Sequence, residues 1–210
     1  CANLNELYLS VAKNFMYAEQ NRSLTNFYAE KVKSLFANDS ILTQTYHSLG
    51  NGKWNHMMSQ THIGYTSWQQ PERNIMPEVK IIDVPPVAEM GIAVEGSELC
   101  WPDNRTAITL PDFTIYGNER HYFEIFNRGT IPFEFSIDIP VDIISASIQK
   151  GTVTDEQRIW LTLDKNKVQK GNYIIPISVK IPDNKPVIIY APVNNPDVKI
   201  PDNFNGFIES

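Results

Sequence analysis

The sequence predicts an α+β chain of two domains, in which a truncated helical bundle is followed by an antiparallel β-sandwich of the immunoglobulin or fibronectin type III kind. Two observations carry this prediction. All 14 prolines lie at Pro71 or later and all 10 glycines at Gly50 or later, so only the first fifty residues favour helix. From Phe133 onward, apolar and polar residues alternate with the period of two that is typical of half-buried strands.

Three helices are expected at the start of the chain. The first is indicated by apolar residues at the spacing of one helical face: Leu4, Leu7, Val11, Phe15 and Ala18. The second is indicated by Leu24, Phe27, Tyr28, Val32, Leu35 and Phe36, with Asn26, Glu30 and Lys33 directed outward. The third begins at a cap on Asn38 or Asp39, buries Leu42, Tyr46 and Leu49, and ends at Gly50. Because no cap precedes the broadly apolar first helix, we expect the chain to begin inside a larger bundle, with Leu4, Leu7 and Tyr8 left exposed.

The remaining boundaries follow from composition. Residues 1–80 form the helical segment, 81–98 a Pro-containing connector, 99–195 the β-sandwich and 196–210 a linker rich in Pro, Asn and Asp. About seven short strands are expected in the sandwich. Three of them lie at 133–139, 144–148 and 159–163, and others lie in HYFEIFNRG, NYIIPISVKI and PVIIYAPV. Breaks between strands are expected at 127–129, 150–151 and 170–171.

Charge and composition exclude several functions. Residues 1–80 contain 7 basic and 6 acidic residues and so have a net charge of +1. Because the whole chain has a net charge of −6, residues 81–210 have a net charge of −7. Without a Lys/Arg cluster, no nucleic-acid partner is expected. No apolar run approaches the roughly 20 residues of a membrane span. No phosphate loop, nucleophile elbow or Cys–His arrangement occurs, so no cofactor is expected.

The two cysteines, Cys1 and Cys100, suit neither a disulfide scaffold nor a zinc site. Free thiols are the expectation. The alternative for Cys1 is the lipidated residue of a bacterial lipoprotein.

Residues 52–71, GKWNHMMSQTHIGYTSWQQP, are the chemically unusual part of the chain. They contain no acidic side chain and one basic one, with aromatic rings that can cover a sugar face and amides and imidazoles that can bond its hydroxyls. The candidate contacts with substrate or another domain are Trp54, Asn55, His56, His62, Tyr65, Trp68, Gln69 and Gln70. The competing interpretation is a well-packed connector filled by Met57, Met58 and Ile63.

The histidines of this segment also raise a metal hypothesis, with His47 upstream of His56 and His62. A helical pair of ligands needs a spacing of three or four residues, and neither a carboxylate nor a cysteine lies between the two later histidines. We therefore expect no metal.

WNHMMSQTHIGYTSWQQPERNIMPEV resembles the signature of glycoside hydrolase family 115, the xylan α-1,2-glucuronidases. CANLNELYLSVAKN and TNFYAEKVKSLFAND precede it in the order found in that family. FEIFNRGTIPFEFSIDIP and GTVTDEQRIWLTLD resemble the small β-sandwich that follows the helical region there. The resemblance spans the chain and is strongest over residues 1–79. It implies a longer parent, with a catalytic (β/α)8 barrel before this region and a further β module after it.

The resemblance implies that the catalytic carboxylates lie in the missing barrel, so no catalytic residue is assigned here. The chain is then a non-catalytic portion of a hydrolase that removes glucuronic acid or its 4-O-methyl ether from glucuronoxylan. Its partners are the barrel and, through it, a xylan-type polysaccharide, and its location is secreted or periplasmic in a bacterium. The alternative is a stand-alone carbohydrate-binding or surface adhesion module, which should close its own core.

Overall fold

The computed structural model describes residues 1–117, 119–182 and 185–196. The chain divides into two compact units, Cys1–Val84 and Pro85–Ser210. The expected linker, residues 196–210, lies outside the described residues except for Pro196. Neither helix in the described ranges has the length and apolarity that a bilayer crossing requires. The two cysteines form no disulfide, and Cys1 is exposed whereas Cys100 is buried.

The first unit contains a helical hairpin of α1 (Ala2–Glu19) and α2 (Thr25–Gly52). Helix α1 buries Leu7, Ser10, Asn14 and Tyr17, so its inward face is rotated from the predicted one and shares only Leu7 with it. Helix α2 buries Thr25, Ala29, Val32 and Asp39. Of the face expected to be exposed, Tyr8 is exposed, Leu4 is half-buried and Leu7 is fully buried.

The expected second and third helices form one element, because α2 continues through Asn38 and Asp39 without a cap. The carboxylate of Asp39 bonds a distant histidine instead of a helix end. The predicted end is confirmed, since the backbone leaves helical geometry at Leu49 and Gly50 has φ of +58°. The predicted burial is wrong for Leu42 and Leu49, which are 50% and 51% exposed, and for Phe27.

Two asparagines fasten the extended segment after residue 78 to the helices. The Asn14 side chain accepts a hydrogen bond from Lys80 N and donates to Lys80 O, with distances of 2.7 and 2.9 Å. Asn26 does the same with Ile82, at 3.0 and 2.9 Å. Each amide therefore replaces the backbone partner that a strand neighbour would supply.

The second unit is a β-sandwich of two sheets. Its strands are β1 (Met90–Val94), β2 (Cys100–Trp101), β3 (Ile108–Thr109), β4 (Phe113–Thr114), β5 (Arg120–Asn127), β6 (Phe133–Asp138), β7 (Ile144–Ala146), β8 (Lys150–Val153), β9 (Glu156–Leu163), β10 (Gly171–Lys180) and β11 (Val187–Asn195). One sheet has the order β2-β1-β5-β9-β7 and is antiparallel. The other has the order β3-β11-β10-β6-β8, with β4 also beside β11.

The inner faces of the two sheets share one apolar core, as the alternation predicted. Phe133, Phe135 and Ile137 of β6 are buried together with alternate residues of β9, including Ile159 and Leu161. The predicted two-residue periodicity is confirmed for these strands.

Four expectations for this unit need correction. The described residues contain eleven strands rather than about seven. Met90–Val94, placed in the connector, forms β1 between β2 and β5. The break expected at Lys150 and Gly151 lies inside β8. Strands β3 and β4 pair with β11 in parallel, so the second sheet is mixed.

Candidate functional site

The segment that joins α2 to the extended segment held by Asn14 and Asn26 begins with a series of tight turns. Backbone bonds run from Lys53 N to Gly50 O, from Asn55 N to Gly52 O and from Met57 N to Trp54 O. All residues from 51 to 60 are exposed. The Lys53 ammonium lies 5.1 Å from the centre of the Trp54 ring. This part of the segment therefore presents Trp54, Asn55 and His56 to solvent.

The next part is a closed loop whose two ends are tied together. Asn74 Oδ1 accepts hydrogen bonds from His62 N at 2.8 Å and Ile63 N at 3.1 Å. Ile75 N donates to Ile63 O at 3.1 Å, and Thr61 Oγ1 donates to Pro71 O at 2.7 Å. We call residues 61–64 and 71–75 the loop base and residues 65–70 the loop tip.

Ile63 anchors the loop base to the helical unit, because its side chain is fully buried. Gly64 adopts φ of +97°, and a Cβ at this position would lie 2.7 Å from the Cβ of Ile75, so glycine is required where the two ends of the loop meet. The loop tip is exposed at every position, and Trp68 has 89% of its surface exposed. The segment is therefore a packed base that carries an unpacked aromatic tip.

His62 links the loop base to α2. Its Nε2 lies 2.8 Å from Asp39 Oδ2, and its Nδ1 lies 3.0 Å from Gln60 O. These two bonds raise the pKa of His62 above its ordinary value, the carbonyl of Gln60 acting most strongly and the Asp39 carboxylate next, against a smaller opposing effect of burial. Asp39 and Asn74 are the site residues that the sequence did not reveal.

The predicted contact residues therefore divide into two groups. His62 is half-buried and has assigned partners. The others are exposed: Trp54, Asn55, His56, Tyr65, Trp68, Gln69 and Gln70. A shallow cleft of about 370 Å³ opens beside His62 and is lined by Met57, Met58, Gln60, Thr61, His62 and Tyr65.

The histidines do not form a metal site in the described part of the chain. His47 Nε2 accepts a hydrogen bond from Met58 N at 3.3 Å, and its ring centre lies 6.3 Å from that of His56. His62 is directed towards Asp39 instead. Across residues 1–117, 119–182 and 185–196 no group of three or more potential ligands is found.

The sandwich has two surface features of its own. A cleft of about 600 Å³ beside β6 and β8 is lined by Glu134, Phe135, Ser136, Lys150, Gly151, Thr152, Lys180, Ile181 and Pro182.

On the outer face of the antiparallel sheet, the guanidinium of Arg120 lies 4.3 Å from the centre of the Trp160 ring, and the guanidinium of Arg158 lies 4.1 Å from the centre of the Tyr122 ring. Arg158 also pairs with Glu124 at 2.7 Å, which raises the pKa of Arg158. This array stabilises the pairing of β5 with β9 and leaves both rings covered by cations.

Comparison with known proteins assigns no family. No family model matches the chain, and no curated protein matches it. Among solved structures, a Bacteroides ovatus GH5 xyloglucanase in complex with a XXXG heptasaccharide is 18% identical with a TM-score of 0.36, and the match covers 54% of this chain and 21% of that one.

Two further solved structures are similar at the same low level. The periplasmic chaperone SfaE is 10% identical over 52% of this chain and 60% of its own, with a TM-score of 0.38. A PapD-like domain of human CEP192 is 12% identical over 61% of this chain and 100% of its own, with a TM-score of 0.37. Similarity at this level supports no conclusion about activity or ligand.

Proposed function

We propose that this chain is a non-catalytic portion of a glycoside hydrolase of the xylan α-1,2-glucuronidase family, and that the exposed residues between Trp54 and Gln70 face the catalytic barrel and border its substrate cleft. The parent enzyme removes glucuronic acid or its 4-O-methyl ether from glucuronoxylan. The proposal rests on the resemblance of residues 54–79 to that family's signature and on the geometry of the loop.

One observation carries the proposal: Trp68 is almost fully exposed on a loop whose base is fixed. A segment that only connected parts of the helical unit would bury its large aromatic rings. Here the fully buried side chain is that of Ile63, and Asn74 makes the hydrogen bonds that close the loop base. Aromatic residues and Met are enriched and most charged residues are depleted at protein interfaces, and this segment exposes Trp54, Met57 and Trp68. The aromatic rings and amides of the tip suit either a protein surface or a pyranose ring.

The test uses the complete polypeptide that contains this chain, with Trp68→Ala as the variant. We expect turnover on glucuronoxylan to fall by about tenfold or more, because a displaced positioning contact costs that much even away from the reacting atoms. The matched control is Ile174→Ala, which removes a residue 68% exposed on the outer face of β10 and should leave turnover unchanged. Wild-type turnover in the Trp68 variant would contradict the proposal.

The second candidate is a stand-alone carbohydrate-binding module, which the cluster of exposed rings also favours. Affinity electrophoresis of the isolated chain in gels containing glucuronoxylan separates the two. A portion of a larger enzyme should migrate without retardation, since its subsite is incomplete. Retardation that Trp68→Ala abolishes would favour the binding module.

A further inference from the structure

We propose that the contact between His62 and Asp39 is a pH-dependent latch, which fastens the loop base to α2 under acidic and neutral conditions and loosens it as the pH rises. Both ring nitrogens of His62 face an acceptor, Asp39 Oδ2 at 2.8 Å and Gln60 O at 3.0 Å. Only the imidazolium form donates from both nitrogens. Neutral imidazole must leave one of the two oxygens facing a lone pair.

The protonation of His62 is influenced by the following charged and polar groups around its ring. From α2 it faces Asp39, whose side chain is 12% exposed. The amino group of Cys1, at the start of α1, opposes the imidazolium charge weakly. The phenol of Tyr8 on α1 accepts a hydrogen bond from Gly64 N at 3.5 Å, and the remaining partner is the uncharged carbonyl of Gln60.

The direction of the pH effect follows from these contacts. Because the pKa of His62 is higher in the folded protein than in the unfolded chain, the latch contributes fully below the ordinary value of 6.5. Its contribution is lost as the pH rises from there through the raised pKa. The bonds from His62 N and Ile63 N to Asn74 join backbone N–H groups to a carboxamide oxygen, so neither partner titrates in this range. Raising the pH should thus release an intact loop base from α2 at the contact between His62 and Asp39.

Amide hydrogen exchange of the chain tests this at residue resolution, with rates corrected for intrinsic exchange at about pH 5.5 and about pH 9. In the wild type, we expect the protection of Gly64, whose amide donates to Tyr8 outside the loop, to fall severalfold between the two values, in step with the NMR titration of the His62 ring. The amide of Ile63, which bonds Asn74 inside the loop base, should keep its protection. Amides in the middle of α1, such as that of Tyr17, should keep constant protection.

Variants identify the titrating group. His62→Gln should give the same reduced protection at both pH values, and Asp39→Asn should shift the loss to lower pH. His47→Gln, which alters the neighbouring histidine that bonds Met58, should retain the wild-type response. The proposal is wrong if Gly64 protection stays constant while His62 titrates, or if the pH response survives in His62→Gln.

Discussion

At the scale of single residues, asparagine side chains join several segments that are distant in the sequence by hydrogen bonds to their backbones. Asn14 and Asn26 hold the extended segment after residue 78, Asn74 closes the loop base, and Asn127 in the sandwich bonds Ile131 O and Thr154 O. The sequence indicated that Asn26 points outward, because an apolar pattern treats every amide as surface. Which distant backbone group an amide meets depends on the tertiary structure and leaves no local signal.

Asn14 offers the sharpest test of this role, since its side chain is fully buried and has three backbone partners. We expect Asn14→Ala to lower the free energy of unfolding of the helical unit by about 2 kcal/mol, because it leaves buried backbone groups without partners. The matched control is Asn5→Ala on the same helix, which removes an exposed amide and should have little effect. Denaturant titration followed by helical circular dichroism measures both, and equal stabilities of the two variants would refute the assignment.

At the scale of elements, the predictions succeeded where a period extends over several residues and failed where it does not. Strands β6 and β9 have six and eight residues, enough for alternation to be visible. Strand β1 is buried on both faces, with Ile92 in the main core and Ala93 in a smaller cluster with Phe126, so its sequence does not alternate. Strands β2, β3 and β4 have two residues each and show no period.

Helix α2 illustrates a different failure. Asp39 was predicted to cap the start of a helix, because aspartate is a favoured N-cap residue. In the structure the carboxylate of Asp39 bonds His62 instead. The second half of the helix then extends past α1, which is ten residues shorter (18 against 28 residues). This is why Leu42 and Leu49, expected in a core, are half exposed.

Leucine substitutions separate the packed and unpacked parts of the hairpin. Leu7→Ala should reduce the free energy of unfolding by about 2–5 kcal/mol, the usual cost of truncating a buried leucine. Leu49→Ala should change it by less than about 0.5 kcal/mol in the isolated chain. Equilibrium unfolding in urea compares them, and a large loss in Leu49→Ala would show that α2 is packed along its whole length.

At the scale of the whole molecule, charge and aromatic side chains are distributed unevenly. Residues 40–71 contain no acidic side chain and only Lys53 as a basic one, although most of them are exposed. Depletion of charge with Trp, Tyr and Met present is the composition of an interface centre rather than of a solvated surface. The sequence alone distinguishes this segment by its composition, and the structure adds the hydrogen bonds that hold its loop base. Its contact with substrate or another domain stays a prediction. That the sandwich is of the immunoglobulin or fibronectin type III kind stays a prediction.

The distribution of carboxylates leads to the last prediction, that the purified 210-residue chain releases no glucuronic acid from glucuronoxylan. Glycoside hydrolysis needs two carboxyl groups about 5–10 Å apart on either side of the bond. Among the described residues, the cleft beside β6 and β8 is lined by one carboxyl group, that of Glu134, together with Lys150 and Lys180, and the cleft beside His62 by none. The complete polypeptide assayed in parallel is the positive control. Release by the chain alone, lost in Glu134→Gln, would place a catalytic acid in the sandwich and overturn the division of roles argued for this molecule.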